Sequence, residues 1–338
     1  MRAVAFAAVT LVACQSATPP SVVEPRRVAS ETAFVEAVAL DDGAPIVTVG
    51  GMGEADALYQ LGSISKYACT LLALRFVDDG RLDLDAPLSS ILPGWRSPAA
   101  ESLTMRQLLS HRANLVDGVI DAFRADPSIA ERDISALEAA NQYALSQTRI
   151  PPDTAFSYTI TNWLVVQAVL EELGGASAVD LLNEELFRSA GMNGITAYQD
   201  RLPEEATVEP SSPVPPIPPF LTCAGGVAAS AEGLIALIRY PYDVASWDND
   251  TLSQLTEVRS MEESYALGGR VWVIDTEEGA RPLHWLSGSN GAFKSRAVYD
   301  IETGQAFAVV TNEDDNALVD ARRDGFVETY VGSIVRAE

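Results

Sequence analysis

A serine and a lysine three residues apart precede an apolar stretch and could together carry out nucleophilic catalysis. Ser63 and Lys66 come just before the almost wholly apolar residues 67–77, which predict a buried helix that ends before Gly80. Residues three apart on a helix share a face, so we expect the Lys66 amine within reach of the Ser63 hydroxyl. Serine becomes a good nucleophile when a neighbouring base takes its proton, and burial can keep a lysine neutral enough to be that base. The pair therefore predicts a nucleophile, Ser63, and its base, Lys66.

The spacing alone is weak evidence, because serine is common and short motifs arise by chance. The context strengthens it. The chain has 21 arginines and only two lysines, yet one lysine stands at the start of an apolar helix. An arginine could not act as the base there, because it does not deprotonate in proteins.

The elements that position this pair fall into three groups along the chain. Strand-like runs at residues 32–40 and 44–50 predict a hairpin, and four more runs between residues 270 and 311 predict a C-terminal set of strands. Helical and loop segments occupy the middle of the chain. The expected fold class is therefore α/β of the α+β kind, with one antiparallel sheet flanked by helices and built from both ends of the chain. A mainly helical lobe at about residues 81–225 is inserted, and the cleft between lobe and sheet is the expected ligand site.

The N-terminus resembles a bacterial lipoprotein signal. Residues 1–13 contain one positive charge and a short apolar run too short to span a bilayer, and residues 11–14 match the lipobox that ends in Cys14. The resemblance implies cleavage before Cys14, lipidation of Cys14 and anchoring in the bacterial cell envelope on its periplasmic or extracellular side. The alternatives are an ordinary secretory signal or a start codon placed too early. Residues 14–31 are expected to be a tether, and residues 32–338 the folded domain.

Charge and cysteine content limit the partners. The net charge of −24 repels nucleic acid and anionic membrane surfaces, which favours a small-molecule or neutral polymeric partner or reflects a salty habitat. The expected partner is a small-molecule, peptide or ester substrate. Two histidines with no close cluster of ligand residues predict neither a metal nor another cofactor. A disulfide between Cys69 and Cys223 is possible in an oxidising compartment, but the position of Cys69 inside a buried helix favours two packed free thiols.

Several motifs in order resemble the serine β-lactamase-like family, which includes class C β-lactamases, DD-peptidases and related esterases with an S-x-x-K motif. The motifs lie at residues 63–66, 79–85, 108–111, 156–158, 224–227 and 287–293, and the resemblance covers about residues 32–335. It implies a β-lactamase/transpeptidase-like fold.

The same resemblance implies roles for individual residues. Ser63 would be acylated, Lys66 and Tyr158 would share the proton transfers, and the backbone N–H groups of Ser63 and Ser289 would form the oxyanion hole. The alternative for Tyr158 is a buried core tyrosine with a bonded hydroxyl. The remaining residues that the resemblance assigns to substrate binding are Leu286, Ser287, Gly288 and Asn162.

Two positions depart from the family pattern. The tyrosine motif is usually Y-x-N, but Ile160 holds the third position and Asn162 lies two further on. Leu286 stands where the family normally has Lys or His, so the site should bind a substrate carboxylate less well. His284 lies on the same face of that strand and is either a partial substitute or a packed histidine at the strand edge.

These observations predict a serine hydrolase that acts through an acyl-enzyme on esters or amides with little need for a substrate carboxylate. Short uncharged esters should be hydrolysed faster than cephalosporins. The alternatives are a weak β-lactamase or DD-peptidase, and a catalytically impaired cell-envelope binding protein that keeps the fold.

Overall fold

The protein is described by a computed structural model that covers residues 24–145, 151–245, 247–276 and 279–332. Its strands are β1 (Arg26–Val28), β2 (Phe34–Ala39), β3 (Ile46–Gly50), β4 (Tyr59–Gln60), β5 (Ile195–Ala197), β6 (Val227–Ala229), β7 (Arg270–Thr276), β8 (Gly279–Asn290), β9 (Phe293–Asp300) and β10 (Ala306–Thr311). Its α-helices are α1 (Ser65–Asp78), α2 (Leu88–Ile91), α3 (Met105–Leu109), α4 (Gly118–Ala125), α5 (Ala136–Tyr143), α6 (Ile160–Gly174), α7 (Ala178–Asp180), α8 (Thr222–Gly225), α9 (Ala231–Asp243), α10 (Asn249–Thr256) and α11 (Asn316–Phe326).

One seven-stranded sheet is assembled from both ends of the chain, in the order β1-β3-β2-β10-β9-β8-β7. Every neighbouring pair is antiparallel except β1 with β3. α9 packs against β2, β9 and β10, while α11 packs against β9 and β10. Strand β10 is buried along its whole length, as expected for a strand covered on both faces. The fold class predicted from the sequence is confirmed.

The residues between β3 and β7 contain most of the helices and a small sheet in the order β4-β6-β5, which the sequence pattern did not predict. α1 is buried on nearly every side, as its apolar composition indicated. It packs against α6 and α8, so the helix after Ser63 lies between the sheet and the helical lobe. Among the described residues, no helix combines the length and the apolar character needed to cross a bilayer.

The expectation for the N-terminal segment is wrong where the structure describes it. Residues 14–31 were expected to be a tether, yet Arg26–Val28 pairs with β3 as an edge strand, because such pairing needs only backbone groups. At the other end of the fold, the side chain of Asp315 caps α11 by accepting the hydrogen bond from the Leu318 N–H at 2.9 Å. The signal peptide at residues 1–13, Cys14 and residues 15–23 of the expected tether lie outside the described residues.

The expectation of two free thiols is also wrong. Cys69 on α1 and Cys223 on α8 form a disulfide, although 154 residues separate them. Burial of Cys69 was foreseen correctly, but a sequence does not show which buried side chains meet across the fold. The bond fixes α1 to the segment that precedes Ala224.

Candidate active site

Ser63 lies in a 3₁₀ turn (Gly62–Ile64) that runs directly into α1. One turn on, the buried Lys66 side chain places Nζ 3.1 Å from Ser63 Oγ. The same amine donates to the carbonyl of Ala224 at 2.9 Å, immediately after the disulfide residue Cys223. Lys66 is therefore held from two sides, with one of its hydrogen bonds directed at the serine oxygen.

Tyr158 approaches Ser63 from the helical lobe. Its hydroxyl donates to Ser63 Oγ at 3.0 Å, and the Lys66 ammonium lies 5.3 Å from its ring centroid. Partial desolvation of the half-exposed Tyr158 raises its pKa, but the positive charge of Lys66, hydrogen bonds with Ser63 and Lys66, and the charge of Arg270 outweigh this effect, so the pKa is lowered overall. A phenol with a lowered pKa can act as a general base towards the serine hydroxyl.

The start of α6 fixes the chain on both sides of Tyr158. Thr159 is the N-cap, and its side chain accepts from the N–H of Asn162. The N–H of Ile160 donates to Asp117 at 3.3 Å. Ile160, the first departure from the family pattern, is thus the first residue of a capped helix.

Asn162 was expected to contact substrate, but it lies elsewhere. Its side chain is completely buried and contacts His111 Nδ1 at 3.2 Å, away from the residues that line the cavity beside Ser63. The reason is its place in the first turn of α6, two residues beyond the position that the family pattern uses. Asn162 therefore supports the helical lobe from inside.

Strand β8 forms the opposite wall of a cavity of about 350 Å³ that opens beside Ser63, and Leu286, Ser287, Gly288 and Ser289 all line it. Two glycines allow the strand to approach the serine turn closely. A Cβ on Gly288 would overlap the Leu61 carbonyl, and a Cβ on Gly62, whose φ is +51°, would overlap the Ser289 backbone. This approach brings the Ser289 backbone against Gly62, the residue before Ser63.

His284 does not replace the cation that Leu286 lacks. It is completely buried, its Nδ1 lies 2.6 Å from the hydroxyl of Tyr242, and its ring packs edge-on against Tyr67. Burial lowers its pKa to about 3, so the imidazole is neutral. Of the two interpretations of His284, the structure supports the packed histidine.

Two arginines that the sequence pattern did not single out also line the cavity. Arg270 on β7 is paired with the Glu263 carboxylate at 3.0 Å, and Arg296 on β9 is bonded to Asp320 at 2.8 Å and to Asn316 at 3.0 Å. The strand-like runs predicted between residues 270 and 311 include Arg270, but the pairing of β7 with the strand of Leu286 is seen only in the structure. Both guanidinium groups already have partners, so neither is an uncompensated cation.

Within the described part of the chain, no group of three or more His, Cys, Asp or Glu side chains is arranged to hold a metal ion. The groups that surround Ser63 Oγ are the amine of Lys66 and the phenol of Tyr158.

The family model described as Beta-lactamase matches residues 27–329. The chain belongs to the Beta-lactamase family. The resemblance drawn from the motifs is thereby confirmed, and Ser63, Lys66 and Tyr158 all lie within the matched residues of this Beta-lactamase family member.

The chain matches part of the length of each of two curated relatives. "Penicillin-binding protein 4" of Amycolatopsis lactamdurans is 33% identical over 155 residues, which cover 45% of this chain and 38% of the relative. "Esterase EstB" of Burkholderia gladioli is 30% identical over 141 residues, which cover 38% of this chain and 36% of the relative. These matches span little more than a third of each relative.

A solved structure of a D-stereospecific amidohydrolase from Streptomyces sp. has a TM-score of 0.72 at 20% identity, covering 90% of this chain and 95% of that chain. At this identity, the likeness shows the fold alone. It agrees with the sheet and helix arrangement of this Beta-lactamase family member.

Proposed function

We propose that this Beta-lactamase family member is a serine hydrolase that forms an acyl-enzyme at Ser63. The observation that carries the proposal is the arrangement around Ser63 Oγ, with Lys66 Nζ at 3.1 Å and the Tyr158 hydroxyl at 3.0 Å. A nucleophile flanked by two groups that exchange protons is what acyl transfer requires.

Tyr158 is the proton acceptor in this mechanism, and Lys66 is the cation that holds the phenolate. The lowered pKa of Tyr158 supports that division, because the charge of Lys66 stabilises the ionised phenol. In the ionised state, the hydrogen bond between the two oxygens reverses, and Ser63 donates to Tyr158.

The first half-reaction forms the acyl-enzyme. Ser63 Oγ forms a bond to the substrate carbonyl carbon while its proton passes to Tyr158, and the N–H groups of Ser63 and Ser289 bind the developing oxyanion. The tetrahedral intermediate breaks the bond to the leaving group, which takes the proton from Tyr158. Water repeats these steps on the acyl-enzyme, releases the acid and restores Ser63.

The proposed substrates are esters or amides that need no carboxylate for binding. Leu286 offers no charge, His284 is neutral, and Arg270 is paired with Glu263. We expect kcat/KM for p-nitrophenyl butyrate to exceed that for nitrocefin, which carries a carboxylate. A faster nitrocefin reaction would contradict the substrate class and favour a weak β-lactamase. We expect the Ser63→Ala variant to hydrolyse neither substrate.

We further propose that the chain is anchored in the bacterial cell envelope through a lipid on Cys14. The lipobox-like residues 11–14 support this proposal. The full-length protein should partition into the detergent phase of a Triton X-114 extraction, and a Cys14→Ser variant should partition into the aqueous phase. Equal partition of the two proteins would contradict the proposed lipid anchor on Cys14.

A further inference from the structure

His111 lies directly behind Tyr158 and contacts three consecutive residues of the segment that carries the phenol. Its carbonyl accepts from the Ser157 N–H at 2.8 Å, and its Nδ1 accepts from the Thr159 N–H at 3.3 Å. Between them, its ring stacks on the Tyr158 ring, with centroids 4.2 Å apart and planes 24° apart. We propose that His111 is a positioning residue for Tyr158 and acts as an uncharged stacking ring, a role that rests on the proposed function of Tyr158 as proton acceptor.

The backbone at His111 supports a role for its side chain. The residue follows α3 with a φ of +56°, in the left-handed region where helices commonly end in glycine. A β-carbon in this conformation costs free energy that glycine would avoid. The histidine also provides the stacking ring, which glycine could not.

The hydrogen bonds of the ring exclude its charged form. The indole N–H of Trp163 donates to His111 Nε2 at 3.0 Å, and the backbone N–H of Thr159 donates to Nδ1 at 3.3 Å. Each of these bonds needs a ring nitrogen that carries no proton. A neutral imidazole has one such nitrogen, whereas an imidazolium has none and could accept neither bond.

The charges around His111 keep the imidazole neutral. Burial lowers its pKa well below the usual value, and the charges of Lys66 and Arg270 lower it further, against a smaller opposing effect of a backbone hydrogen bond with Ser157. The other titratable rings against it are Tyr158 and Tyr265, whose centroids lie 4.2 and 5.2 Å away. A charged ring would lose the hydrogen bond from Trp163. It would also place a second cation beside Tyr158, and this charge would make the phenolate a weaker base. The neutral ring positions Tyr158 without this effect.

Two variants separate stacking from hydrogen bonding. His111→Asn removes the ring but keeps a residue type that tolerates a positive φ. His111→Phe keeps a stacking ring and removes both nitrogens. Thermal unfolding of each variant establishes that it is folded.

The readout is the pKa of Tyr158, followed by ¹³C NMR of labelled tyrosine and assigned with Tyr158→Phe. It requires no turnover. We expect His111→Asn to raise this pKa towards that of free tyrosine, and to lower kcat about 10²-fold with little change in KM, because a displaced catalytic group loses about this much. His111→Phe should keep the wild-type pKa and a kcat within about threefold of wild type, because stacking is retained.

The inference is overturned if His111→Asn leaves the Tyr158 pKa unchanged, or if His111→Phe is as impaired as His111→Asn. These results differ from failure of the proposed function. That failure would appear in the wild-type protein, as turnover that persists in Ser63→Ala or as no turnover at all, whereas the NMR titration reports on His111 in either case.

Discussion

The hydroxyl of Tyr158 lies 3.0 Å from Oγ of Ser63, although 95 residues separate the two in the chain. Ser63 belongs to the turn that opens α1, and Tyr158 immediately precedes the capped start of α6. The two side chains meet because both helices are buried and pack against each other.

Replacing Tyr158 with phenylalanine tests the proton acceptor. The change should lower kcat about 10²- to 10⁴-fold, the usual contribution of a general base, and leave KM almost unchanged. Tyr330→Phe is the matched control, because Tyr330 is exposed to a similar extent, 43% against 44%, and lies outside the site. Equal kcat values for wild type and Tyr158→Phe would exclude the phenol as the base.

The pH dependence of kcat/KM follows from the lowered pKa of Tyr158. The phenolate is the active form, so activity should rise with pH as the phenol ionises, with the midpoint below the ordinary pKa of 10.0. Acid should therefore inactivate the enzyme reversibly. A pH profile that is flat up to pH 10, in a protein that remains folded, would show that this group does not limit the reaction.

The charge of Glu263 should control selectivity. Glu263→Gln removes the carboxylate that is paired with Arg270, so the guanidinium becomes available to a substrate carboxylate. We expect kcat/KM for nitrocefin to rise about tenfold, roughly 1.4 kcal/mol, while that for p-nitrophenyl butyrate stays the same. Glu262→Gln removes the same charge from the neighbouring residue and should leave kcat/KM unchanged for both substrates. A parallel change for both substrates would show that Arg270 does not reach the substrate.

The disulfide should contribute strongly to stability. Replacing both Cys69 and Cys223 with alanine opens a loop of more than 150 residues and should lower the free energy of unfolding by about 2–5 kcal/mol, as measured by urea titration. Thiol titration of the denatured, unreduced wild-type protein is the control. Detection of both residues as free thiols would restore the original expectation and remove the basis of this prediction.

Gly288 should be required for the oxyanion hole. A methyl group there overlaps the Leu61 carbonyl and would push β8 away from the serine turn. Gly288→Ala should lower kcat about 10²- to 10³-fold, comparable to the loss of one oxyanion-hole donor. Gly325→Ala, where a Cβ meets nothing within 4 Å, is the control and should retain full activity. Wild-type kcat in Gly288→Ala would show that the close approach is not needed.

The local parts of this structure could be predicted from the sequence. Ser63 and Lys66 are brought together by helix geometry alone. The hairpin of β2 and β3 also follows from its two apolar runs. In each case, the contacting residues are close in the chain, so the physics of one element decides the outcome.

Contacts between distant parts of the chain could not be derived in this way. The placement of Tyr158 was expected only because the order of motifs resembled a known family. The partner of Cys69, the arginine that lines the cavity from β7, and the ring stacked on Tyr158 all depend on how the elements pack. Asn162 illustrates the difference between local and distant contacts. It lies two residues beyond the position that the family pattern uses, and its side chain is buried in the core and does not line the cavity.

Covalent labelling tests the central claim most directly. The protein is reacted with a fluorophosphonate, which modifies activated serine hydroxyls, and the adduct is located by mass spectrometry of its peptides. We predict one adduct, on Ser63, which is absent in Ser63→Ala and forms more slowly in Tyr158→Phe. A folded wild-type protein that remains unlabelled, or is labelled at another serine, would contradict the account and favour a binding protein that keeps the fold without the chemistry.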